Sequence, residues 1–187
     1  MFTSVRVDIK RYERTPPYGL PRRLELFMCN FGLHALMVYR FGHWLLSARS
    51  NPLYWPLLLL LTPVYWLMAA YVRLAYDIHL DPSAEIGPGL YIGHFGGIRV
   101  LKCRLGSHCS IQQEVRLQPD EGSSFGPQIG NRVWIGAHTR IQGNIHIGDR
   151  ATIGAGACVK EEVLPNCLIL GNPARVIQKN YDNSMFL

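Results

Sequence analysis

The sequence predicts a mainly β protein, a parallel β-helix built from hexapeptide repeats and preceded by a hydrophobic α-helical segment. Two observations lead to this prediction. From Ile86 to Val163 an aliphatic residue returns about every sixth position and is usually followed by glycine. In front of this repeat, residues 20–76 are largely apolar and contain one acidic residue, Glu25. A period as short as six indicates a chain that coils around a narrow core.

The repeat keeps its phase over most of the chain after a slip of one residue before Leu105. Its inward positions are occupied by Ile86, Ile92, Ile98, Leu105, Ile111, Leu117, Ile129, Ile135, Ile141, Ile147, Ile153 and Val159. Three hexads make one triangular turn, in which β-branched residues suit the short strands and glycine is expected to supply a positive φ at the corners. A β-sandwich with regular turns is the alternative. Six unbroken hexads from Ile129 to Leu164 argue against it.

The pattern divides the chain into three parts. Residues 1–76 form a basic, hydrophobic helical segment, residues 77–170 form the β-helix, and residues 171–187 close it. The polar stretch 118–128 interrupts the aliphatic pattern for one hexad, so an extruded loop is expected there, with a plain surface excursion as the alternative.

Charge and cysteine content restrict the function classes. Residues 1–75 hold nine Lys or Arg against three acids, so the whole net charge of +6 lies in front of the repeat. A basic segment beside apolar sequence favours an anionic partner such as membrane lipid over nucleic acid. The five cysteines include no CxxC pair, which argues against disulfides and a metal site and favours a reducing cytoplasm. Residues 1–23 are charged and have no apolar core, so no signal peptide is expected.

The N-terminal segment is predicted to contain helices. Apolar residues recur at helical spacing over residues 20–49, and the next charge after Arg49 is Arg73. The uncharged stretch between them is long enough to span a bilayer, but Pro52, Pro56 and Pro63 interrupt it. A span, a helical hairpin docked in the membrane plane, and burial against another subunit all remain open. Peripheral membrane contact through residues 20–73 is the preferred interpretation.

One hexad departs from the small or polar surface residues of its neighbours. His94 lies two residues after the inward Ile92 and is followed by Gly96 and Gly97, so its ring is expected at the surface with room for a ligand. A neutral imidazole is a suitable base for removing a proton from a hydroxyl. The alternative is a surface histidine with no task.

Several motifs together resemble a known family. They are the hexads, Asp77-Ile78-His79, the stretch 89–98 (GLYIGHFGGI) and the closing stretch 171–177 (GNPARVI). They are similar to the serine acetyltransferase-like branch of the hexapeptide acyltransferases. Within that branch, the IGHFGGI stretch is similar to O-acetyltransferases of exopolysaccharide and capsule synthesis. The resemblance implies a left-handed β-helix, a homotrimer with active sites between subunits, and acetyl-CoA as the donor.

The resemblance also implies roles for particular residues. His94 takes the position of the general base in a direct transfer without an acyl-enzyme. Asp77 is the first choice for the carboxylate that orients it, with His79 or Asp81 as alternatives. Small residues and terminal cations are expected to hold acetyl-CoA, namely Gly136, Ala137, Gly154, Ala155, Pro173, Ala174, Arg175 and Lys179. The alternative for Arg175 is that it caps the end of the β-helix.

The chain departs from the serine enzymes at two places. They have aspartate directly before the catalytic histidine and an Asp-Arg-His-Pro stretch later, whereas Gly93 and Ser124-Phe125-Gly126-Pro127 stand here. Without these charges, the ammonium and carboxylate of serine lose their partners.

The preferred interpretation of the whole chain is therefore an acetyltransferase acting on a sugar hydroxyl. The acceptor is expected to be a polysaccharide or its lipid-linked precursor, at the inner face of the membrane. A serine O-acetyltransferase is the alternative enzyme. A non-catalytic β-helix that serves binding or assembly is the alternative of another class.

Overall fold

The computed structural model describes residues 2–13, 30–94 and 96–186. Its helices are α1 (Phe2–Tyr12), α2 (Phe31–Ala48) and α3 (Trp55–Tyr76), and a short 3-10 helix, Pro52–Tyr54, leads into α3. The helix predicted over residues 20–49 is confirmed where α2 lies, and residues 20–29 fall outside the described part. Pro63 lies inside α3 without ending it.

Fifteen short strands follow in the described part of the chain. They are β1 (Ile78–Leu80), β2 (Glu85–Ile86), β3 (Tyr91–Ile92), β4 (Ile98–Val100), β5 (Arg104–Leu105), β6 (Ser110–Ile111), β7 (Arg116–Gln118), β8 (Gln128–Ile129), β9 (Trp134–Ile135), β10 (Arg140–Gln142), β11 (His146–Ile147), β12 (Thr152–Ile153), β13 (Cys158–Val159), β14 (Cys167–Leu170) and β15 (Arg175–Lys179).

These strands build the three faces of a β-helix. Face A stacks β1, β4, β7, β10 and β13, face B stacks β2, β5, β8 and β11, and face C stacks β3, β6, β9, β12 and β14. Neighbours within each face are parallel, and the last strand, β15, pairs antiparallel with β14. The predicted parallel β-helix after N-terminal helices is therefore confirmed. Its left hand stays a prediction from the family resemblance.

The core is a stack of aliphatic side chains. On face C, Ile92, Ile111, Ile135, Ile153 and Ile169 are successive register partners, and each is at most 2% exposed. One coil thus covers the core of the next, and the period of six places the same kind of residue at each level.

The glycines that follow the inward residues allow close stacking of the coils, whereas the sequence predicted that they supply positive φ at the corners. Gly106 and Gly130 do not have positive φ, whereas non-glycine corner residues such as Arg132 and Arg150 do. A Cβ on Gly106 would meet the backbone of the next coil, at 2.5 Å from the Gly130 carbonyl oxygen. The prediction that these glycines supply positive φ is wrong at these positions, because close coil stacking, not chain reversal, requires them there.

The helices close the first coil of the β-helix, whose backbone groups have no preceding coil to bond. The Tyr39 hydroxyl donates to the Ala84 carbonyl oxygen (2.7 Å) and accepts from the Ile86 amide (3.1 Å). The Tyr12 hydroxyl accepts from the Ile92 amide at 2.9 Å. Side chains of α1 and α2 therefore satisfy strand groups that would otherwise be buried without partners.

Helix α3 has one covered side and one apolar exposed side. Leu58 and Val72 are buried. Large apolar side chains are exposed elsewhere on the helix and its leading turn: Leu53, Trp55, Leu57, Leu59, Leu60, Val64, Trp66, Leu67, Met68, Tyr71 and Leu74. The segment Pro52–Tyr76 is long and apolar enough to cross a membrane by length and composition, and 11% of its most apolar window is buried.

Candidate functional site

His94 lies in the turn between β3 and β4, where the chain passes from face C to face A. Its side chain is exposed, as the sequence predicts for its place in the hexad. The Phe31 ring at the start of α2 lies 6.5 Å from the imidazole, centroid to centroid. The imidazole therefore combines solvent access with an apolar contact to Phe31.

The end of α3 holds this turn in place. Asp77 has φ 49°, and its carboxylate accepts a hydrogen bond from the Gly97 amide at 2.9 Å. The Gly96 amide donates to the Tyr76 carbonyl oxygen (3.0 Å), and the Ile98 amide donates to that of Asp77 (3.2 Å). Three hydrogen bonds thus link the α3–β1 junction to the segment that carries His94.

The other two candidates for the orienting group lie elsewhere. Asp81 accepts from the backbone and hydroxyl of Ser83, at 2.8 and 2.6 Å, within its own turn. His79 is the central residue of β1 between two buried residues and faces outward on face A. Of the three, Asp77 alone bonds to the His94 turn in the described part of the chain.

Four of the predicted donor residues, Gly136, Ala137, Gly154 and Ala155, line the same edge of the β-helix as His94. Because Ile92, Ile111, Ile135 and Ile153 are stacked, the residues after them, Gly93, Gln112, Gly136 and Gly154, occupy one corner at successive levels. We call this edge, comprising residues 93–94, 96–97, 112–115, 136–139 and 154–157, the His94 corner. Stacked strands lie about 4.8 Å apart, so it extends about 14 Å from Gly93 to Gly154.

Small residues line the upper part of this corner, by which we mean the coils nearer the C-terminus. Gly136 and Gly154 are buried, and a Cβ on Gly136 would lie 2.6 Å from the Ala155 amide nitrogen. Ala137 is half-buried and Ala155 is exposed. The surface there consists of backbone and methyl groups.

The closing segment lies beyond the last coil. The Ala174 amide donates to the Cys158 carbonyl oxygen at 3.0 Å, and Arg175 donates to the Ala174 carbonyl oxygen at 2.9 Å. Pro173 and Ala174 help to line a cleft of about 360 Å³ with Lys160. Arg175 and Lys179, at the two ends of β15, are exposed. The structure therefore brings Pro173, Ala174 and Arg175 next to the top of the His94 corner.

Sequence reasoning missed two residues at the bottom of this corner. The side-chain amide of Gln112 covers Gly93, since a Cβ on that glycine would lie 2.7 Å from the amide nitrogen. The carboxylate of Glu114 covers Gly97 in the same way, with one oxygen 2.5 Å from such a Cβ. The sequence could have identified both residues, because they lie one coil after the His94 turn and residues one coil apart are neighbours in space.

The polar insertion forms an exposed loop after β7. The Ser123 amide donates to the Asp120 carbonyl oxygen (3.0 Å), and the Ser123 hydroxyl donates to that of Phe125 (2.8 Å). At the end of the loop, the Gly126 amide donates a hydrogen bond to the Lys102 carbonyl oxygen at 2.8 Å.

Two thiols of the β-helix, those of Cys103 and Cys109, are poor nucleophiles. Burial raises the pKa of the Cys103 and Cys109 thiols to about 12 in each case. No group of three or more potential metal ligands occurs in residues 2–13, 30–94 and 96–186.

Comparisons with known proteins place the chain in a family. Residues 126–161 match the model of the bacterial transferase hexapeptide (six repeats). The serine acetyltransferase of Synechococcus elongatus is 31% identical over 185 residues, covering 96% of this chain and 70% of that protein. This chain belongs to the serine acetyltransferase family.

Solved structures of the family agree along nearly the whole chain. A Neisseria gonorrhoeae serine acetyltransferase crystallised with serine aligns with a TM-score of 0.75, 30% identity and coverage of 93% of this chain and 68% of that one. A serine acetyltransferase crystallised with CoA aligns with a TM-score of 0.74, 26% identity and coverage of 94% and 68%. The family member described here is therefore an acyltransferase. The narrower assignment to an exopolysaccharide or capsule branch finds no support in these relatives, which are named as serine acetyltransferases.

Proposed function

We propose that the chain transfers an acetyl group from acetyl-CoA to a hydroxyl, with His94 as general base and serine as the first acceptor to test. The observation that carries the proposal is the His94 corner, where an exposed imidazole and the buried Gly136 and Gly154 share one edge. Serine comes from the Neisseria gonorrhoeae relative, whose structure contains it.

The reaction is a direct transfer. The imidazole of His94 accepts the proton of the acceptor hydroxyl while that oxygen attacks the carbonyl carbon of the thioester. The carbon–sulfur bond then breaks, and the imidazolium returns the proton to the departing thiolate. The products are an acetyl ester and free CoA. The buried thiols of Cys103 and Cys109 support this route over a covalent one, since thiols with a pKa of about 12 are protonated at neutral pH.

The donor is proposed to lie along the upper His94 corner. The small methyl groups of Ala137 and Ala155 leave room for a thin pantetheine arm, and the buried glycines beside them let the coils stack closely. Arg175 is an exposed cation near the upper end and would meet the CoA phosphates, whereas Lys179 pairs with Cys167 at the opposite end of β14. The CoA complex of a relative supports the choice of donor.

Asp77 is proposed as the group that positions His94. Its hydrogen bond to the Gly97 amide supports this role, because it connects the carboxylate to the turn that carries the base. An Asp77→Asn variant should lower kcat more than it raises KM for acetyl-CoA, since the donor residues lie in other coils.

The test is release of free thiol from acetyl-CoA with serine as acceptor. His94→Asn should lower turnover about 10²–10⁴-fold, the range typical for loss of a general base. His146→Asn, an exposed histidine on face B, is the matched control and should retain activity. Turnover with sugar acceptors alone would refute serine. Absence of both turnover and CoA binding would favour a binding or assembly role for the β-helix.

A sugar hydroxyl is the second candidate acceptor, and Gln112 is the observation that favours it. The space beside Gly93 is filled by the neutral Gln112 amide, which makes no hydrogen bond to the described part of the chain. A neutral amide can bond to hydroxyl groups but does not neutralise the ammonium of an amino acid. Gln112→Ala should raise KM for a glycan acceptor and leave KM for acetyl-CoA unchanged. Gln128→Ala on face B serves as the control.

A homotrimer is the proposed assembly, with the loop at residues 118–128 reaching toward the active site of the neighbouring subunit. The exposure of residues 120–124 supports this, because such a loop is available to a second copy. Sedimentation equilibrium tests the trimer. Deletion of residues 120–124 should lower kcat while the trimer persists.

Peripheral contact with the inner face of the membrane is proposed for α3. Leu59, Leu60, Trp66, Leu67 and Leu74 are 66–86% exposed, and with their less exposed apolar neighbours they cover about half of the helix circumference. An ordinary soluble helix buries a narrower apolar stripe and presents polar residues outside it.

Vesicle cosedimentation tests this contact. Leu60→Glu with Leu67→Glu should reduce binding to anionic phospholipid vesicles strongly. Leu164→Glu is the matched control, since Leu164 is 66% exposed on the β-helix. Equal binding by all variants, or concentration-dependent self-association that disappears in the α3 variant, would contradict the proposal.

A further inference from the structure

Face A carries a column of cations that the proposed reaction does not use. Arg99, Arg116 and Arg140 are successive register partners in β4, β7 and β10. Each occupies an outward position: Arg99 lies between the buried Ile98 and Val100. We call these three residues the arginine ladder. Adjacent strands lie about 4.8 Å apart, so its backbone positions extend over about 10 Å.

The ladder has little compensating charge within the chain. Within the described residues, the ladder makes one ion pair to a carboxylate. It joins Arg116 to Glu114 at 3.9 Å, which is at the distance limit for an ion pair. Other arginines are closely paired, as Arg40 is to Asp8 at 3.0 Å and Arg104 is to Glu85 at 2.7 Å. Like charges directly opposite each other on neighbouring strands destabilise a sheet. Three arginines in register therefore carry positive charge that the described part of the chain leaves largely uncompensated.

Positive charge continues from the ladder toward α3. His79 is the register partner of Arg99 in β1. Burial first, and then the positive charge of Arg73, lower the pKa of His79, and Arg99 acts in the same direction while Asp81 opposes it. Arg73 and His79 line the same cavity, so the guanidinium of Arg73 adds to the positive potential at this end.

The ladder begins beside the candidate base. Arg99 lies in the strand that directly follows the His94 turn, and the ladder then extends away over the next two coils. A ligand that neutralises all three guanidinium groups is longer than an amino acid and carries repeated anionic groups. The outward column, which runs from His79 through the ladder to Cys158, contains no Phe, Tyr or Trp side chain on which nucleic-acid bases would stack.

We propose that the arginine ladder binds an acidic glycan, with its carboxylates or phosphates bonded to successive guanidinium groups. Planar guanidinium groups bind such anions through two parallel hydrogen bonds. The proposal rests on the second candidate of the proposed function, a sugar acceptor, in one respect: the chain end nearest Arg99 would present a hydroxyl to His94. Binding itself requires neither acetyl-CoA nor turnover.

The experiment measures binding of a fluorescently labelled hexagalacturonide to the full chain by anisotropy, without acetyl-CoA and at several NaCl concentrations. Arg99→Gln, Arg116→Gln and Arg140→Gln should each weaken binding about tenfold or more, as expected for loss of a charge-assisted contact. The variants should also reduce the dependence of affinity on salt. The matched control removes three cations outside face A, Arg104→Gln, Arg132→Gln and Arg150→Gln, and should change affinity less than about threefold.

Other outcomes overturn the proposal. Equal losses in the ladder and control variants would indicate unspecific attraction, and equal competition by inorganic pyrophosphate would indicate a small-anion site. Tighter binding of a single-stranded oligonucleotide would indicate nucleic acid. A ladder variant that loses its oligomeric state would indicate pairing with a second copy. The binding assay contains no acetyl-CoA and requires no turnover, so failure of the catalytic proposal would leave this result distinct.

Discussion

Asp8 and Arg40 form a buried ion pair that joins α1 to α2 at the first coil of the β-helix. The Arg40 Nε donates to Asp8 Oδ2 at 3.0 Å, and the residues are 7% and 0% exposed. Asp8 also accepts from the Gly89 amide (2.6 Å), while Arg40 donates to the carbonyl oxygens of Ile86 (2.6 Å) and Gly87 (2.7 Å). The pair therefore satisfies backbone groups of the first coil as well as itself.

Removing one partner should leave a buried charge without compensation. Asp8→Ala is expected to lower the free energy of unfolding by about 3–5 kcal/mol. Urea denaturation measures this. Glu85→Gln, which breaks the exposed pair with Arg104, is the control and should barely shift the midpoint, because solvent screens that pair. Similar losses of unfolding free energy in both variants would show that the buried ion pair stabilises the fold no more than the exposed one.

Close stacking of the coils predicts a cost for a methyl group at Gly106. Its Cβ would lie 2.5 Å from the Gly130 carbonyl oxygen and 2.8 Å from the Asn131 amide, and neither backbone group can move aside freely. Gly106→Ala should lower the free energy of unfolding by about 2–3 kcal/mol. Gly122→Ala is the comparison, because it has open space and only its φ of 81° opposes alanine, at about 1 kcal/mol. A smaller loss at Gly106 than at Gly122 would contradict the stacking argument.

His79 should make stability fall at acidic pH. Burial, followed by the charge of Arg73, holds its pKa below the ordinary value of about 6.5. The unfolded chain therefore takes up the proton first, so the contribution of neutral His79 is complete above about pH 6.5 and is lost as pH falls toward the folded pKa. His79→Gln should flatten the pH dependence of the free energy of unfolding in that window. An unchanged profile would contradict this assignment.

Thiol accessibility should distinguish the cysteines of the β-helix. Cys103 and Cys109 are buried with pKa values of about 12, whereas Cys158 is partly exposed. Iodoacetamide at pH 8 should alkylate Cys158 in the folded chain and reach Cys103 and Cys109 only in denaturant. Mass spectrometry of the digested protein locates the labels. Rapid labelling of Cys103 in the folded chain would show that the first coils open.

Hexad spacing alone was enough to predict the β-helix, because a period of six allows one short strand and one corner per repeat. The inward positions Ile92 to Ile153, the surface place of His94 and the helix over α2 follow from periodicity and are confirmed. The catalytic role of His94 stays a prediction, since spacing places a side chain but does not test its chemistry.

Tertiary structure decided which residues from different coils meet. Gln112 covers Gly93, Glu114 covers Gly97, and the three arginines of the ladder align, because register between coils sets these contacts and the number of residues per coil varies. The sequence by itself determined the repeat, its core and the apolar character of α3. Which residues surround His94 was decided by how the coils stack, since hydrogen bonds between strands fix neighbours that are about 20 residues apart in the chain.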